Sequence, residues 1–184
     1  LWVGTMGGGI DVFDREGGGV GHHRHDPGRS HTLSDDRVMA LSRGRGGVIW
    51  VGTMQGGLNR FEPETGRFQA YRADETRSGS LSSNAVMSLL TDREGTLWVG
   101  TYLGGLNRDD ASQDSFTVYR HDASNPRSLS SDIVTSIQEG PGGTLWVGTE
   151  GGGVNRLERR SGSFQSFRHD RHRATSLSDD TVYS

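Results

Sequence analysis

Short apolar runs alternate with polar, glycine-rich turns along the whole chain. In the unit that starts at residue 84, the β-compatible apolar runs cover residues 84–91, 96–101, 106–108 and 116–120. Polar or glycine-rich turns separate these runs at residues 92–95, 103–105 and 109–115. Runs of this length bounded by such turns are typical of strands. The pattern therefore predicts four short strands, followed by a longer polar loop over residues 121–131.

This pattern recurs every 48 residues, as the four tryptophans show. Trp2, Trp50, Trp98 and Trp146 each lie in an apolar-Trp-Val-Gly-Thr motif, and Gly-Gly, Arg-x-Asp and Leu-Ser motifs follow at the same spacing in every unit. A fixed period of this length indicates a repeat architecture. Four short strands joined by glycine-rich turns are typical of a propeller blade. We therefore predict an all-β fold, a β-propeller of four-stranded antiparallel blades, here a partial ring of about four blades.

The repeat also predicts the limits of each blade. Residues 1–25 would supply the outer strands of a first blade, residues 37–72, 85–120 and 133–168 would form complete blades, and residues 181–184 would start a further inner strand. We interpret the 184 residues as a fragment of a longer protein, because the first and last units are incomplete. Since neighbouring blades cover both faces of a propeller sheet, the four tryptophans are predicted to pack between blades.

Composition argues against the alternative repeat folds. Glycine provides 29 of the 184 residues, about twice its usual share. Glycine is unfavourable inside helices, so tetratricopeptide, ankyrin and armadillo repeats fit poorly, while leucine-rich repeats have a shorter period. An immunoglobulin-like sandwich would not repeat itself in sequence.

Charge and motif content exclude several functions. The net charge of −3 comes from 20 basic and 23 acidic residues, which argues against nucleic acid as a partner. The absence of cysteine excludes disulfides and thiolate chemistry. The glycine-rich segments GTMGGG and GTEGGG are not followed by the lysine of a phosphate-binding loop, which argues against phosphate binding. No serine lies in the GxSxG motif of serine hydrolases. We therefore predict no catalytic residues and no cofactor. No apolar run is long enough to span a membrane, so we expect no membrane contact in this segment.

The histidines suggest a possible metal-binding site, because four of them lie within residues 22–31. His25, His121 and His169, however, occupy equivalent positions in three different units. A zinc site needs ligands that converge on one point, whereas these positions belong to separate loops. We therefore predict no metal site, and expect these histidines to cap loops or to contribute to a polar rim.

Ligand-binding residues are expected where the four units differ, because residues shared by all units serve the blade itself. Ligands of propellers usually bind at the mouth of the central channel, beside the turns between second and third strands and the loops between blades. The candidates in these segments are Met54, Gln55, Tyr102, Leu103, Glu150, His121 and His169. An aromatic platform at Tyr102, with hydrogen-bonding groups at Gln55 and Glu150, would suit a glycan or another polar small molecule. The alternative is that these are solvated turn residues without a function.

The repeated residues resemble the two-component regulator propeller repeat. Residues 80–101 followed by GGLNR at 104–108, and GGLNRFEPETGRFQAY at 56–71, carry the resemblance, which extends over the whole chain. Asp11-Val12, Asp109, Gly44 and Gly140 depart from the pattern. The resemblance implies a seven-bladed sensor propeller in a periplasmic or extracytoplasmic location. It also implies a membrane-anchored bacterial parent, which can be dimeric and which carries a histidine kinase or diguanylate cyclase as its output.

These observations favour a non-catalytic module that binds a ligand for a signalling protein. A propeller used purely as a protein-interaction scaffold is the alternative. An enzyme similar to the polysaccharide lyases is a third hypothesis, in which Glu150 and the loop histidines would supply the acid and base.

Overall fold

The protein forms a succession of small antiparallel sheets. The structure, a computed structural model, describes residues 1–14 and 17–183. The first sheet contains β1 (Trp2–Gly4), β2 (Ile10–Phe13) and β3 (Val20–His23). The second contains β4 (Val38–Arg43), β5 (Ile49–Thr53), β6 (Leu58–Glu62) and β7 (Arg67–Tyr71).

The other two sheets repeat the arrangement of the second. The third contains β8 (Val86–Thr91), β9 (Leu97–Thr101), β10 (Gly105–Asp110) and β11 (Ser115–Tyr119). The fourth contains β12 (Val134–Glu139), β13 (Leu145–Thr149), β14 (Gly153–Glu158) and β15 (Ser163–Phe167). Within the described residues, helix is limited to two 3-10 turns at Arg45–Gly47 and Pro141–Gly143. The predicted all-β propeller architecture of antiparallel sheets is confirmed.

The third strand of the third sheet is longer than the apolar pattern indicates. The sequence places residues 109–115 in a turn, but β10 continues through Asp109 and Asp110, which pair with Phe116 and Ser115. The backbone ladder therefore continues although the side chains become acidic. At the carboxyl end, Thr181 to Tyr183 form no strand, and residue 184 of the predicted inner strand lies outside the described residues, as do residues 15–16 of the first unit.

Sheets pack face to face, and the side chains of Trp2, Trp50 and Trp98 each pack against the sheet that follows their own. Trp98 is 2% exposed and belongs to a cluster with five buried apolar residues of the fourth sheet: Val134, Leu145, Val147, Leu157 and Phe164. Equivalent clusters join the second sheet to the third and the first to the second. The apolar core of this protein therefore lies between its sheets.

The glycine of the Trp-Val-Gly-Thr motif permits a close approach between neighbouring sheets. A β-carbon on Gly52 would lie 2.5 Å from a methyl group of Val86, and one on Gly100 would lie 2.5 Å from a methyl group of Val134. Both valines begin the inner strand of the next sheet. Only hydrogen fits at this position, which accounts for the glycine and the valine that recur in each unit.

Buried polar side chains explain two further repeated motifs. Asn107 is fully buried; its side-chain oxygen accepts a hydrogen bond from the Ser82 amide at 3.0 Å, and its side-chain nitrogen donates to the Ser82 hydroxyl at 2.7 Å. The same pair of bonds joins Asn59 to Ser34 and Asn155 to Ser130. Each asparagine thereby ties a central strand to the loop that enters its own sheet, and its polar atoms are satisfied without water.

One carboxyl group occupies an otherwise apolar position between sheets. Asp109 stands where the second and fourth units carry Phe61 and Leu157, which are 5% and 3% exposed. Partial burial raises the pKa of Asp109, and the neighbouring carboxylates of Asp110 and Asp114 raise it further. The folded protein therefore binds this proton more tightly than the unfolded chain does, and Asp109 makes folding less favourable as the pH rises through its raised pKa.

We expect Asp109→Leu to stabilise the protein by about 1 kcal/mol at neutral pH, because leucine restores apolar burial and removes the charge. The gain should shrink in acid, where Asp109 is already protonated. Thermal unfolding at neutral and acidic pH measures both effects. Asp110→Leu is the control: the Asp110 carboxylate accepts hydrogen bonds from the Ser112 amide and hydroxyl, so its loss should not stabilise. A lower melting temperature for Asp109→Leu at neutral pH would contradict this account.

Candidate functional site

The predicted ligand-binding residues lie at one end of the sheets, which we call the upper rim. Because the strands alternate in direction, the turn between second and third strands lies at the same end as the loop that enters the next sheet. Hydrogen bonds join these segments directly: the Gly57 amide donates to the Asn84 carbonyl at 3.0 Å, and the Gly105 amide donates to the Asp132 carbonyl at 2.9 Å. The turns and the loops therefore form one continuous surface.

Equivalent backbone bonds hold the first residue of three of these turns beside the start of the inner strand. The amides of Met54, Tyr102 and Glu150 donate to the carbonyls of residues 37, 85 and 133 at 3.0, 2.9 and 3.0 Å, respectively. Their side chains project into solvent, because Met54 is 38% exposed, Tyr102 is 44% exposed and Glu150 is also exposed. The repeat thus fixes the backbone and leaves the side chains free to vary.

Two further apolar side chains extend this surface. Met6, in the turn of the first sheet, is 67% exposed and pairs through its backbone with Arg37. Leu103 is 63% exposed and has a positive φ of 60°, a conformation that a leucine rarely adopts. We call Met6, Met54, Tyr102, Leu103 and Glu150 the rim row. Its members present apolar and aromatic groups to solvent, with one carboxylate in the turn of the fourth sheet.

Gln55 belongs to a polar network on the rim. The Gln55 amide donates to the Asp35 carboxylate at 2.8 Å, and the side-chain oxygen of Gln55 accepts a hydrogen bond from the Arg37 guanidinium at 2.7 Å. Arg37 also donates two side-chain hydrogen bonds to Asp35, each at 3.1 Å. Partial burial would raise the pKa of Asp35, but these bonds and the charge of Arg37 outweigh it, so the pKa lies below its ordinary value. The Gln55 oxygen is therefore held by the protein, and its side-chain NH2 group is the part suited to a ligand.

Sequence reasoning missed Arg37 and Asp35. Arg37 is replaced by alanine, isoleucine and threonine at the equivalent positions 85, 133 and 181. The rule that function lies where the units differ would have selected it. It was missed because the rule was applied to the turns and not to the residues that lead into the inner strands.

The predicted histidines make repeated contacts within their own loops. Ring nitrogen Nδ1 of His121 lies 2.9 Å from the Leu129 carbonyl oxygen, and the His121 amide donates to the Asp132 carboxylate at 2.7 Å. His169 and His25 make the same two contacts in their own loops. His121 and His169 are exposed. Their contribution to ligand binding stays a prediction, and the contacts show how they cap a loop.

Two other histidines of the first unit have separate surroundings. His22 Nδ1 lies 2.7 Å from the carboxylate of Asp11, which replaces the asparagine of the other units. His23 lies among aromatic rings, with its centroid 5.4 Å from Trp2 and 5.0 Å from Phe61, and burial lowers its pKa. Among the residues that the structure describes, no three His, Asp or Glu side chains are placed to hold a metal ion.

The opposite end of the sheets, the lower rim, carries an ionic cluster between the third and fourth sheets. The side chain of Asp92 is fully buried and accepts hydrogen bonds from the Trp98 indole at 2.9 Å and from Arg159 of the fourth sheet at 2.6 Å. Arg159 also lies over the Trp98 ring, 5.6 Å from its centroid, and 3.5 Å from Glu139. Burial would raise the pKa of Asp92, but the hydrogen bonds from Trp98, Thr96 and Arg159 lower it below its ordinary value.

Comparison with known families identifies the repeat. Residues 80–103 and 128–151 match the family described as two component regulator propeller. Each match runs from the end of a loop between sheets through the first two strands of a sheet to the turn on the upper rim. No curated protein sequence matches the chain.

Solved structures with the same fold include two bacterial extracellular domains. The extracellular domain of the hybrid two component system BT3049 from B. thetaiotaomicron is 26% identical, with a TM-score of 0.74 over 88% of this chain and 22% of its own. The extracellular domain of BT4673 from the same organism is 23% identical, with a TM-score of 0.77 over all of this chain and 23% of its own. The present chain thus spans less than a quarter of either domain.

A third structure shares the fold alone. Virginiamycin B lyase from Staphylococcus aureus is 18% identical, with a TM-score of 0.67 over 92% of this chain and 52% of its own.

The part of the chain described by the structure contains no helix long and apolar enough to cross a membrane. Two of the repeat units of this chain, those of the third and fourth sheets, contain segments that match the two component regulator propeller family.

Proposed function

We propose that this chain is part of the extracytoplasmic, ligand-sensing propeller of a membrane-anchored bacterial signalling protein, and that it has no catalytic activity of its own. The two matched family segments and the similarity to the extracellular domain of a hybrid two component system support the signalling assignment. In this proposal the output is a histidine kinase or a diguanylate cyclase outside these residues, and the location is the periplasm or the cell exterior.

One observation supports ligand sensing above all: the side chains of the rim row differ from unit to unit, although the repeat keeps their backbone positions the same. Methionine, tyrosine and glutamate occupy the same backbone site in successive turns and are exposed. Aromatic rings stack on the apolar faces of sugars, and amide and carboxylate groups bind their hydroxyls. Tyr102, the Gln55 NH2 group and Glu150 supply these groups, so the proposed ligand is a glycan or a similarly polar small molecule.

Calorimetric titration with a panel of neutral and acidic oligosaccharides tests the proposal. We expect saturable binding of at least one oligosaccharide, with a loss of at least tenfold in affinity for Tyr102→Ala, because stacking on the ring is removed. Val118→Ala is the control, since Val118 is 36% exposed but lies on the outer strand β11 and is not part of the rim row. Binding that survives Tyr102→Ala unchanged would exclude the rim row as its site.

A protein-interaction scaffold is the second candidate, favoured by the same exposed methionines and tyrosine. Methionine and tyrosine are enriched in protein interfaces. Absence of saturable heat across the whole panel would favour this candidate over glycan sensing.

A further inference from the structure

Leu103, in the turn between the second and third strands of the third sheet, has a backbone conformation that its side chain disfavours. Among the residues that the structure describes, His31, Leu103 and Asp114 combine a side chain with a positive φ. Histidine and aspartate adopt this region more readily than most residues do, whereas a bulky leucine is an outlier there. Its φ of 60° therefore costs free energy, and strain of this kind is found mainly at functional sites.

The fourth sheet shows what the turn itself requires. Gly151 occupies the position of Leu103 and has a φ of 74°. The third and fourth units also agree at the position of Asp35, where they carry Ser83 and Ser131, so neither turn is held by the carboxylate that holds the turn of the second sheet. Glycine adopts a positive φ without steric cost. The turn therefore needs no side chain at this position.

Hydrogen bonds fix the turn on both sides of the strained residue. The Tyr102 amide donates to the Ala85 carbonyl at 2.9 Å. On the other side, the Gly105 amide donates to the Asp132 carbonyl at 2.9 Å, and the Gly105 carbonyl accepts a bond from the Thr101 hydroxyl at 2.8 Å. A strained residue persists only where its surroundings determine its conformation in this way.

The strained side chain packs little against the protein. Leu103 is 63% exposed and Tyr102 is 44% exposed, although apolar clusters join their sheet to another sheet on either side. The exposure is therefore a property of an interior blade. An exposed leucine is common on its own, but one that also holds an unfavourable backbone conformation indicates a side chain kept for a contact outside the chain.

We propose that Leu103 selects sugars that carry a methyl group, an inference that rests on the proposed binding of a glycan at the rim row. An isobutyl group has no hydrogen-bonding atoms, so it cannot bind the hydroxyls of a sugar. It can bury a methyl group that projects from the sugar ring, as in an N-acetylated or a 6-deoxy sugar. Tyr102, the preceding residue, offers the aromatic face on which the ring itself stacks.

The polar groups of the neighbouring turns fit the rest of such a ligand. The oxygen of Gln55 is held by Arg37 at 2.7 Å, which leaves the NH2 group for a ligand, and Glu150 is exposed in the turn of the fourth sheet. These groups bind hydroxyls, which sugars with and without a methyl group share. Loss of the Leu103 side chain should therefore change the selectivity of binding and leave the shared affinity intact.

Titration calorimetry on the 184-residue chain with two matched pairs of sugars tests the inference. Chitotriose carries acetamido groups where cellotriose carries hydroxyls, and L-fucose carries a methyl group that the pyranose form of D-arabinose lacks. We expect at least one methyl-bearing sugar to bind about fourfold more tightly than its partner, the factor that burial of one methyl group provides. Leu103→Gly and Leu103→Ala should each weaken binding of that sugar about fourfold and leave binding of its partner unchanged.

Thermal unfolding of the same two variants measures the strain separately from binding. Leu103→Gly removes the β-carbon that disfavours a positive φ, so its melting temperature should rise by about 2 °C. Leu103→Ala is the matched control, because it loses the isobutyl group but keeps the β-carbon, and its melting temperature should not rise.

Three results would overturn the inference. Equal melting temperatures for the glycine and alanine variants would show that no strain is held at Leu103. Methyl-bearing sugars that bind no more tightly than their partners, or a preference that survives in both variants, would show that the side chain does not select the methyl group. In each case the proposed function stands if another oligosaccharide binds and Tyr102→Ala weakens it, whereas an absence of all saturable binding removes both.

Discussion

Trp98→Ala is expected to lower the free energy of unfolding by about 3–5 kcal/mol, the usual cost of truncating a buried tryptophan. Trp98 is 2% exposed and lies between two sheets, where its loss leaves a cavity lined by residues of both. Removal of the indole also deprives the buried Asp92 carboxylate of a hydrogen-bond donor. For a domain of this size we expect a fall in melting temperature on the order of 10 °C, measurable by calorimetry.

Two variants separate the parts of this loss. Trp98→Phe keeps an aromatic ring between the sheets but removes the donor, so it should cost less than the alanine variant. Trp146→Ala is the matched control, because Trp146 occupies the same position in the repeat, contacts Phe167 of its own sheet and is only partly buried. The Trp146 variant should lose less stability than Trp98→Ala. Equal losses would show that the tryptophans do not depend on the following sheet.

Arg159→Ala is expected to cost about 3 kcal/mol, because it leaves the carboxylate of Asp92 buried without its cation. Asp92→Gly should cost a similar amount, since Arg159 then loses its closest partner. The double variant restores a combination that the chain already uses: Gly44 and Ala111 occupy the equivalent positions between the second and third sheets. We therefore expect the double variant to cost clearly less than the sum of the single variants, by at least about 1 kcal/mol.

The pH dependence provides an independent check on this ion pair. Because the pKa of Asp92 is lowered in the folded protein, its contribution to stability is complete above the ordinary aspartate pKa and is lost as the pH falls through the lowered value. Asp92→Gly should therefore flatten the acid side of the stability profile. Strictly additive losses in the double-mutant cycle, together with an unchanged acid profile, would show that Asp92 and Arg159 are not coupled.

The sequence contains enough information to predict the strands, because each structural residue occurs several times. The buried asparagines, the glycine beside the inner valine and the tryptophans recur in successive units, so one physical explanation covers every copy. The prediction was wrong at Asp109 and Asp110. Their acidic side chains suggest a turn, but their backbone continues the ladder of β10. Strand pairing with the neighbours outweighed the preference of these side chains.

Features that occur only once could not be predicted in the same way. Asp92 and Arg159 are 67 residues apart in sequence and come from different sheets, so their pairing becomes visible only when the sheets are packed. Gly44 occupies the position of Asp92 in the repeat, and Ala111 occupies that of Arg159. The loss of the aspartate at Gly44 is explained only when both positions are seen to face each other across the interface. The rim row was accessible from sequence because its positions vary on a constant backbone. The same rule also selects Arg37, but its contact with Gln55 is visible only in the fold.

The propeller arrangement depends on the packing of Trp2, Trp50 and Trp98 against the sheets that follow them, and nuclear Overhauser effects at Trp98 test this packing most directly. With labelled leucine and valine methyl groups, the Trp98 indole protons should show effects to Leu145 and Leu157 of the next unit, and the indole N–H should exchange slowly with solvent. Effects confined to residues 85–120, together with rapid exchange of the indole N–H, would contradict packing between sheets and with it the propeller arrangement.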